Sequence, residues 1–250
     1  MISEELLHVV SHYGLDVVSI QEIYIGHINQ TYKLSTSNGN YILQKINSAV
    51  FEHIDRIIYN ESLLRKYLSE SENPDFLVPL IQTNEGENFF TTNGEFWRVT
   101  KFMDDLYSPL FIGNHRTAYS LGQKIREFHY LTRNIDVHNF KEVIPDFHNL
   151  DFRFSQYLKA LETTTKDLDS YNFIFDEIDK FIWLSEKYRA WIKTGECNKI
   201  LCHNDTKISN TLVNPNSGIV EYLIDLDTLM PEYDFIDIGD AVRAGCSMSD

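Results

Sequence analysis

The stretch with the clearest chemical pattern runs from His203 to Asn210 and has the form H-x-D-x-x-x-x-N. Phosphoryl transfer needs a group that accepts the proton of the attacking hydroxyl, and the Asp205 carboxylate on a loop can do this. Asn210, five residues further on, can supply an oxygen ligand to Mg²⁺. A polar surface loop with a capping aspartate would show the same letters, so this motif alone does not decide the chemistry.

A second acidic pattern follows where an apolar run ends at Asp225 and Asp227. Residues at i and i+2 of a strand project from the same side, so the two carboxylates repel unless a cation or water lies between them. Mg²⁺ is bound by one or two carboxylates together with substrate phosphates. Because Asp225 stands 15 residues after Asn210, across one hairpin, the spacing predicts a metal site. The alternative is a strand end with exposed acids.

The first part of the chain offers candidates for a phosphate site. Residues 26–30, Gly-His-Ile-Asn-Gln, join two predicted strands, as a loop over phosphates would, although they contain a single glycine. Lys45 lies in a strand with apolar neighbours, and Glu61 lies 16 residues further on in a predicted helix. We expect an ion pair between them. A lysine on the solvent face and a solvated helical acid are the simpler alternatives.

The elements that must position these residues change in type near residue 103. Hydrophobic periodicity and turn residues predict strands first and helices later. The predicted strands are 17–25, 31–36, 41–46, 78–82, 88–92, 95–102, 199–202, 211–214 and 219–224. The predicted helices are 3–13, 54–69, 116–133, 151–161, 174–192 and one that begins near Asp237. We therefore expect a strand-rich N-terminal lobe over 1–103 and a mostly helical lobe over 104–250, with a cleft between them.

The order of these features matches the protein-kinase template: glycine loop, strand lysine, helix glutamate, H-x-D-x-x-x-x-N and an apolar run into Asp. On these motifs the sequence resembles the aminoglycoside phosphotransferase and choline kinase superfamily, whose fold is α+β, protein-kinase-like and two-lobed. Within it the sequence looks most like the N-acetylhexosamine 1-kinases. That likeness rests on residues 26–32, 43–47, 203–207, 224–231 and 239–243.

The resemblance implies that ATP phosphorylates the anomeric hydroxyl of N-acetylglucosamine or N-acetylgalactosamine, with Mg²⁺ as cofactor. The lobe over 1–103 would bind ATP and the lobe over 104–250 would be the catalytic lobe, with Asp205 as the catalytic base. The implied metal ligands are Asn210, Asp225 and, as a second ligand or a sugar contact, Asp227. The implied nucleotide contacts are Gly26, His27, Asn29, Lys45, Glu61 and, through backbone groups at the adenine, Lys101, Phe102 and Met103. The implied substrate contacts are His27, Asp227 and Arg243, and Arg243 could instead pair with Asp240.

Departures from the kinase pattern refine this expectation. Asn204 stands where protein kinases have Arg, and Asp225-Leu226-Asp227 replaces D-F-G, which favours a small-molecule kinase without a phosphorylated activation loop. The run 232–238 differs from the family pattern and leaves the roles of Asp234 and Asp237 open. Family members continue into further helices around the acceptor, so we expect a C-terminally truncated chain with an incomplete acceptor pocket.

Composition excludes several classes of partner. The chain of 250 residues has 22 Lys and Arg against 37 Asp and Glu, a formal net charge of −15, which disfavours nucleic acid and anionic membranes. The three cysteines have no C-x-x-C spacing and are interpreted as reduced core thiols. No apolar run is long enough for a membrane span, and Glu4 and Glu5 stand where a signal peptide would carry positive charge. We expect a cytoplasmic protein.

Three alternatives remain open from the residues. The acceptor could be another small alcohol, such as an aminoglycoside, choline or homoserine, and the acidic charge would suit a cationic one. A metal-dependent phosphohydrolase would need two close metals and would leave the first lobe unexplained. A catalytically incomplete nucleotide-binding fragment would bind Mg-ATP without turnover.

Overall fold

The structure, a computed structural model, describes residues 3–24, 28–195 and 197–246. These form two compact units: the first comprises the described residues up to Ile144 and from Ile200 onward, and the second is Pro145–Lys199. The predicted lobe boundary after Met103 lies inside the first unit and stays a prediction. The candidate catalytic residues that the structure describes all belong to the first unit.

An antiparallel sheet opens the first unit. Its strands and helices in chain order are α1 (Glu4–Ser11), β1 (Val17–Ile23), β2 (Gln30–Thr36), β3 (Gly39–Lys45), α2 (Ile54–Ser69), β4 (Leu80–Ile81), β5 (Phe90–Thr92) and β6 (Glu95–Lys101). The sheet has the order β1-β2-β3-β6-β4, and β5 also pairs with β6. All of these elements were predicted, with differences of a few residues at their ends.

Local signals explain these boundaries. Ser3 caps α1 by accepting a hydrogen bond from the Leu6 backbone N–H at 3.2 Å, and Gly14, with a φ of +63°, ends that segment. The Asn93-Gly94 pair has φ values of +52° and +78°, as a tight hairpin between β5 and β6 requires.

The two faces of the sheet have different partners. One face packs against α1 through a buried core. This core contains Val9, Val10, Tyr13, Leu34, Leu43, Trp97 and Val99. The opposite face of β3 and β6, with Gln44 and Arg98 paired in register, lines a cavity. Side-chain alternation along a strand therefore decides which residues can meet a ligand.

The rest of the first unit carries the candidate catalytic loop. Its named elements are α3 (His115–Thr132), β7 (Lys199–Cys202), β8 (Thr211–Val213), β9 (Val220–Leu223), β10 (Met230–Tyr233) and α7 (Asp234–Gly245). β8 and β9 form an antiparallel pair, and β10 pairs with β7. A core that joins α2, α3 and the strand ends contains Leu64, Phe76, Phe128, Leu201 and Leu229.

The second unit contains the α-helices α4 (Leu150–Thr163), α5 (Asn172–Phe181) and α6 (Trp183–Thr194), and a short 3-10 helix at Asp169–Tyr171 lies between α4 and α5. The prediction of a single helix over 174–192 is wrong, because the helix is interrupted at Ile182. There the Ile182 N–H donates to the Asp179 carbonyl at 3.4 Å and the Ser185 N–H donates to the Ile182 carbonyl at 3.1 Å. These i to i−3 bonds interrupt the α-helical ladder without a proline or glycine, so the sequence contained no signal for them.

The cysteines are all free, with Cys202 buried and Cys246 exposed. The interpretation as core thiols is therefore wrong for Cys246, which lies just after α7. Within the described residues, no helix is both long and apolar enough to cross a membrane.

Candidate active site

The loop between β7 and β8 holds Asp205 in a fixed position. Asn210 donates its side-chain N–H to Asp205 Oδ2 at 2.7 Å and to the Asp205 carbonyl at 2.9 Å. Lys207 Nζ lies 3.3 Å from the same Oδ2. No described residue donates a hydrogen bond to Asp205 Oδ1, so this oxygen can accept a proton from a ligand.

Asp237, on α7, anchors the backbone of this loop. The carboxylate is fully buried, and it accepts the His203 backbone N–H at 3.0 Å and the Asn204 backbone N–H at 2.7 Å. His129 Nε2, on α3, lies 2.8 Å from Asp237 Oδ2. Asn204 has a φ of +66°, a left-handed conformation that a residue other than glycine keeps only when its surroundings hold it. Asp237 is therefore the group that fixes the loop.

The sequence left the role of Asp237 open, and a metal role is not supported. His129, Cys202 and Asp237 offer donor atoms within 4.8 Å of one another. However, Asp237 is already engaged by three N–H groups, and the Cys202 thiol donates to the Glu232 and Tyr233 carbonyls at 3.4 and 3.5 Å. We interpret this cluster as structural.

His203 connects the loop to the strand that precedes Asp225. Its Nδ1 accepts the Asp205 backbone N–H at 3.3 Å, so its Nε2 carries the proton and donates to the Ile224 carbonyl at 2.9 Å. The Ile224 N–H donates to the Asn210 carbonyl at 2.9 Å. These bonds bring Asn210 and Asp225 to the same end of one cavity, as the motif spacing predicted.

Asp225 is the acid with the least compensated charge in the site. It has a φ of +63°, and its nearest basic partner is Arg98 Nη2 at 3.9 Å. Burial, and next the neighbouring Asp227 carboxylate, raise the pKa of Asp225 to about 7. Its environment therefore disfavours a carboxylate without a further cation beside it.

Asp227 has a different position from the one predicted. Its Oδ1 accepts from Arg98 Nη1 at 2.5 Å and its Oδ2 accepts from Asn29 Nδ2 at 2.6 Å. The residue is 2% exposed and does not line the cavity. Because both oxygens are engaged, the prediction of Asp227 as a metal ligand or sugar contact is not supported. Its carboxylate instead holds the side chains of Arg98 and Asn29 in position.

The cavity beside these residues has a volume of about 500 Å³. At one end it is lined by Lys207, Asn210 and Asp225. Elsewhere its lining includes Asn29, Glu61, Lys101, Phe102 and Met103, all predicted nucleotide contacts. The predicted catalytic loop and the predicted adenine segment thus border one continuous space, and their individual roles stay predictions.

The sequence profile of the phosphotransferase enzyme family, APH, matches residues 19–249. The chain belongs to this family. The predicted resemblance to the aminoglycoside phosphotransferase superfamily is therefore confirmed.

Solved structures share the fold of this phosphotransferase. A spectinomycin phosphotransferase in complex with ADP and spectinomycin is 18% identical, with a TM-score of 0.63, over 95% of this chain and 72% of its own. An aminoglycoside phosphotransferase from Alicyclobacillus acidocaldarius is 16% identical, with a TM-score of 0.66, over 98% and 71%. A microcompartment-associated aminopropanol kinase is 14% identical, with a TM-score of 0.69, over 95% and 73%. The predicted kinase-like α+β fold is therefore confirmed.

Lys45 does not take the predicted place in this phosphotransferase. It is paired in register with Trp97, on the face of β3 that packs against α1. Its Nζ forms an ion pair with Glu95 and lies 3.6 Å from Glu5. The predicted ion pair with Glu61 is wrong, because strand alternation turns Gln44, and not Lys45, towards the cavity.

We expect Lys45→Gln to change the KM for ATP by less than about twofold, because the side chain lies on the opposite face of the sheet. The lost pair with Glu95 is partly exposed, so unfolding free energy should fall by no more than about 1 kcal/mol. Steady-state kinetics measure the KM for ATP, and urea denaturation measures the free energy of unfolding. A tenfold rise in the KM for ATP would show that Lys45 reaches the nucleotide after all.

The remaining predicted residues divide into two groups. Gly26 and His27 lie outside the described residues. Arg243 is exposed and donates from Nη2 and Nε to Asp240 Oδ1 at 2.8 and 3.1 Å, so of the two alternatives the structure favours the ion pair over a substrate contact.

Sequence reasoning missed three residues of the site, Gln44, Arg98 and Lys207, and gave no role to a fourth, Asp237. Lys207 lay inside the quoted motif, two residues after Asp205, and could have been found as a cation next to the base. Arg98 also had a signal, since an arginine between apolar residues in a central strand needs an acidic partner.

Proposed function

We propose that the protein is an ATP-dependent small-molecule kinase that phosphorylates the anomeric hydroxyl of N-acetylglucosamine or N-acetylgalactosamine. The observation that carries this proposal is the cavity that joins the Asp205 loop and Asp225 to residues 101–103. Membership of the phosphotransferase family supports the reaction type, and the solved structures with ADP or an ATP analogue support the nucleotide. The sugar rests on the resemblance of the motifs to N-acetylhexosamine 1-kinases.

In this proposal Asp205 accepts the proton of the sugar hydroxyl. The hydroxyl oxygen forms a bond to the γ-phosphorus while the bond from that phosphorus to the β-phosphate oxygen breaks, giving sugar 1-phosphate, ADP and a proton. Asp205 Oδ1 is the oxygen available for that proton, since Asn210 and Lys207 engage Oδ2. Lys207 also lines the cavity, where its charge would offset that of the transferred phosphoryl group.

Asn210 and Asp225 fit a divalent cation. Asn210 donates its N–H groups to Asp205, which leaves its Oδ1 without a hydrogen bond from any described residue. Asp225 carries a carboxylate whose charge is poorly compensated, and Mg²⁺ prefers such oxygen ligands together with phosphate oxygens. When bound, the ion would neutralise charge on the transferred phosphoryl group.

A second candidate function is a kinase for a cationic small alcohol. The net charge of −15 favours a cationic acceptor. Two of the structural neighbours are a spectinomycin phosphotransferase and an aminopropanol kinase. Spectinomycin and aminopropanol both carry amino groups as well as hydroxyl groups. The catalytic geometry would be the same, and only the acceptor would differ.

An acceptor panel with Mg-ATP tests the proposal. We expect turnover with N-acetylglucosamine or N-acetylgalactosamine and none with the 1-deoxy sugar, which lacks the anomeric hydroxyl. Phosphorus NMR of the product should show a phosphate on C1. Turnover of the 1-deoxy sugar, or preference for spectinomycin, choline, homoserine or aminopropanol, would contradict the sugar 1-kinase and favour the second candidate.

A further inference from the structure

In protein kinases a lysine on the third strand pairs with a helix glutamate and contacts the α- and β-phosphates. In this protein the residue of the third strand, β3, that lines the cavity is neutral. Gln44 lines the cavity, whereas Lys45 lies on the opposite face with Glu95 and Glu5. Glu61, the helix glutamate, is 2% exposed and therefore needs another cation.

Two arginines meet this need. Arg65, on the same helix, donates to Glu61 Oε1 at 2.8 and 2.9 Å and to the Val78 carbonyl at 3.0 Å, and Arg98 on β6 binds the other carboxylate oxygen. Arg98 is the register partner of Gln44, it lines the same cavity and it is 4% exposed. Its Nη1 donates to Glu61 Oε2 at 3.1 Å and to Asp227 Oδ1 at 2.5 Å. Burial opposes its charge, but Asp227, Glu61 and Asp225 together raise the pKa of the Arg98 guanidinium above its usual value.

The hydrogen bonds of Arg98 leave one edge of the guanidinium unused. Its Nε donates to Gln44 Oε1 at 3.0 Å, and Nη1 serves Glu61 and Asp227. An arginine has five N–H donors, and among the described residues none accepts a hydrogen bond from Nη2. The nearest acidic oxygen is Asp225 Oδ1, at 3.9 Å. Nη2 is thus held next to the candidate Mg²⁺ ligand, with two donors available.

We propose that Arg98 supplies, from β6, the phosphate-binding cation that protein kinases place on the third strand, and that Gln44 holds it in orientation. Nη1 fixes Glu61 and Asp227, and Nη2 donates to an oxygen of the ATP phosphates. This inference rests on the proposed ATP-dependent function. Arginine suits the position because its planar group can hold several acceptors at once and keeps its charge when buried.

Moving the positive charge from position 98 on β6 to position 44 on β3 tests the assignment of Arg98. Arg98→Gln removes the charge, and Gln44→Lys combined with Arg98→Gln restores one positive charge from the neighbouring strand. Lys45→Gln is the matched control, since it removes a charge from the other face of the same strand. Each variant is assayed for the KM for ATP, for kcat, for binding of a Mg²⁺ complex of a non-hydrolysable ATP analogue, and for thermal unfolding.

We expect Arg98→Gln to weaken analogue binding and to raise the KM for ATP by about 10- to 100-fold, because a charge-assisted hydrogen bond to phosphate is lost. The double variant should recover at least about tenfold of this loss, while Lys45→Gln stays near wild type. Wild-type analogue affinity in a folded Arg98→Gln protein would overturn the assignment. So would a folded double variant that recovers nothing.

The binding assay separates this inference from the proposed function. Wild-type protein that binds the analogue but phosphorylates no acceptor would contradict the proposed kinase, while the effect of Arg98→Gln on binding would still support or overturn the assignment of Arg98. If Arg98→Gln unfolds, the double variant decides, since it keeps a cation for Glu61 and Asp227. Wild-type protein that does not bind the analogue would contradict both proposals.

Discussion

Replacing Asp205 by Asn is expected to lower kcat by about 10²- to 10⁴-fold, the range for loss of a general base. The amide has the same shape but cannot take the proton of the attacking hydroxyl. Only Asn210 and Lys207 donate to the carboxylate among the described residues, and no buried core contact depends on it. The fold and the affinity for the Mg-ATP analogue should therefore stay close to wild type.

The measurement is a steady-state assay of Asp205→Asn with thermal unfolding and analogue binding recorded in parallel. Asp176→Asn is the matched control, because it makes the same chemical change at an exposed position on α5. Retention of more than about one tenth of wild-type kcat in a folded Asp205→Asn protein would refute the role of Asp205 as base.

The sequence predicted which residues of the candidate catalytic loop lie together, because the geometry of this loop is mostly local. Asp205 and Asn210 are five residues apart and contact each other directly at 2.7 Å. Asp225 joins them through one hairpin and the hydrogen bond from Ile224 to Asn210. Spacing along one loop and one hairpin leaves few alternative arrangements, so a motif contains most of this information.

The part of the cavity around Gln44 and Arg98, where we propose that phosphate binds, could not be predicted in the same way. Side-chain alternation along a strand puts Gln44 and Lys45 on opposite faces, but it does not tell which face meets the cavity and which meets α1. That choice depends on contacts between distant segments: Arg98 is 37 residues from Glu61 and 129 from Asp227. The kinase template then favoured the residue of the expected type, Lys45, over the arginine on the next strand.

The break at Ile182 and the position of Asp237 illustrate the same limit. The periodicity of 174–192 is continuous, and only the hydrogen bonds of the folded chain show where the helix ends. Asp237 was recognised as an acid at a helix start without a role. Its partners, His203 and Asn204, lie more than 30 residues away, and they identify it as the anchor of the candidate catalytic loop.

Loss of that anchor should have the largest effect on stability. Asp237→Ala leaves the backbone N–H groups of His203 and Asn204 buried without an acceptor and removes the partner of His129. Each buried donor left unsatisfied costs about 1–3 kcal/mol, so we expect the free energy of unfolding to fall by about 3–5 kcal/mol. Urea denaturation measures this, and Asp234→Asn, at an exposed position on the same helix, should change it by less than about 0.5 kcal/mol.

The milder variant Asp237→Asn separates positioning from stability. It keeps one acceptor oxygen, so the protein should fold, but an N–H of the new amide would face the N–H of His203 or Asn204 and displace the loop. A displacement of about 1 Å at a reacting group can cost about 10²-fold in rate, and we expect kcat to fall by that order. Because Asp237 acts through Asp205, adding Asp237→Asn to Asp205→Asn should lower kcat by less than about threefold more. Fully multiplicative losses would mean that Asp237 acts on the reaction independently of Asp205, and an unchanged kcat in the single variant would mean that it serves the fold alone.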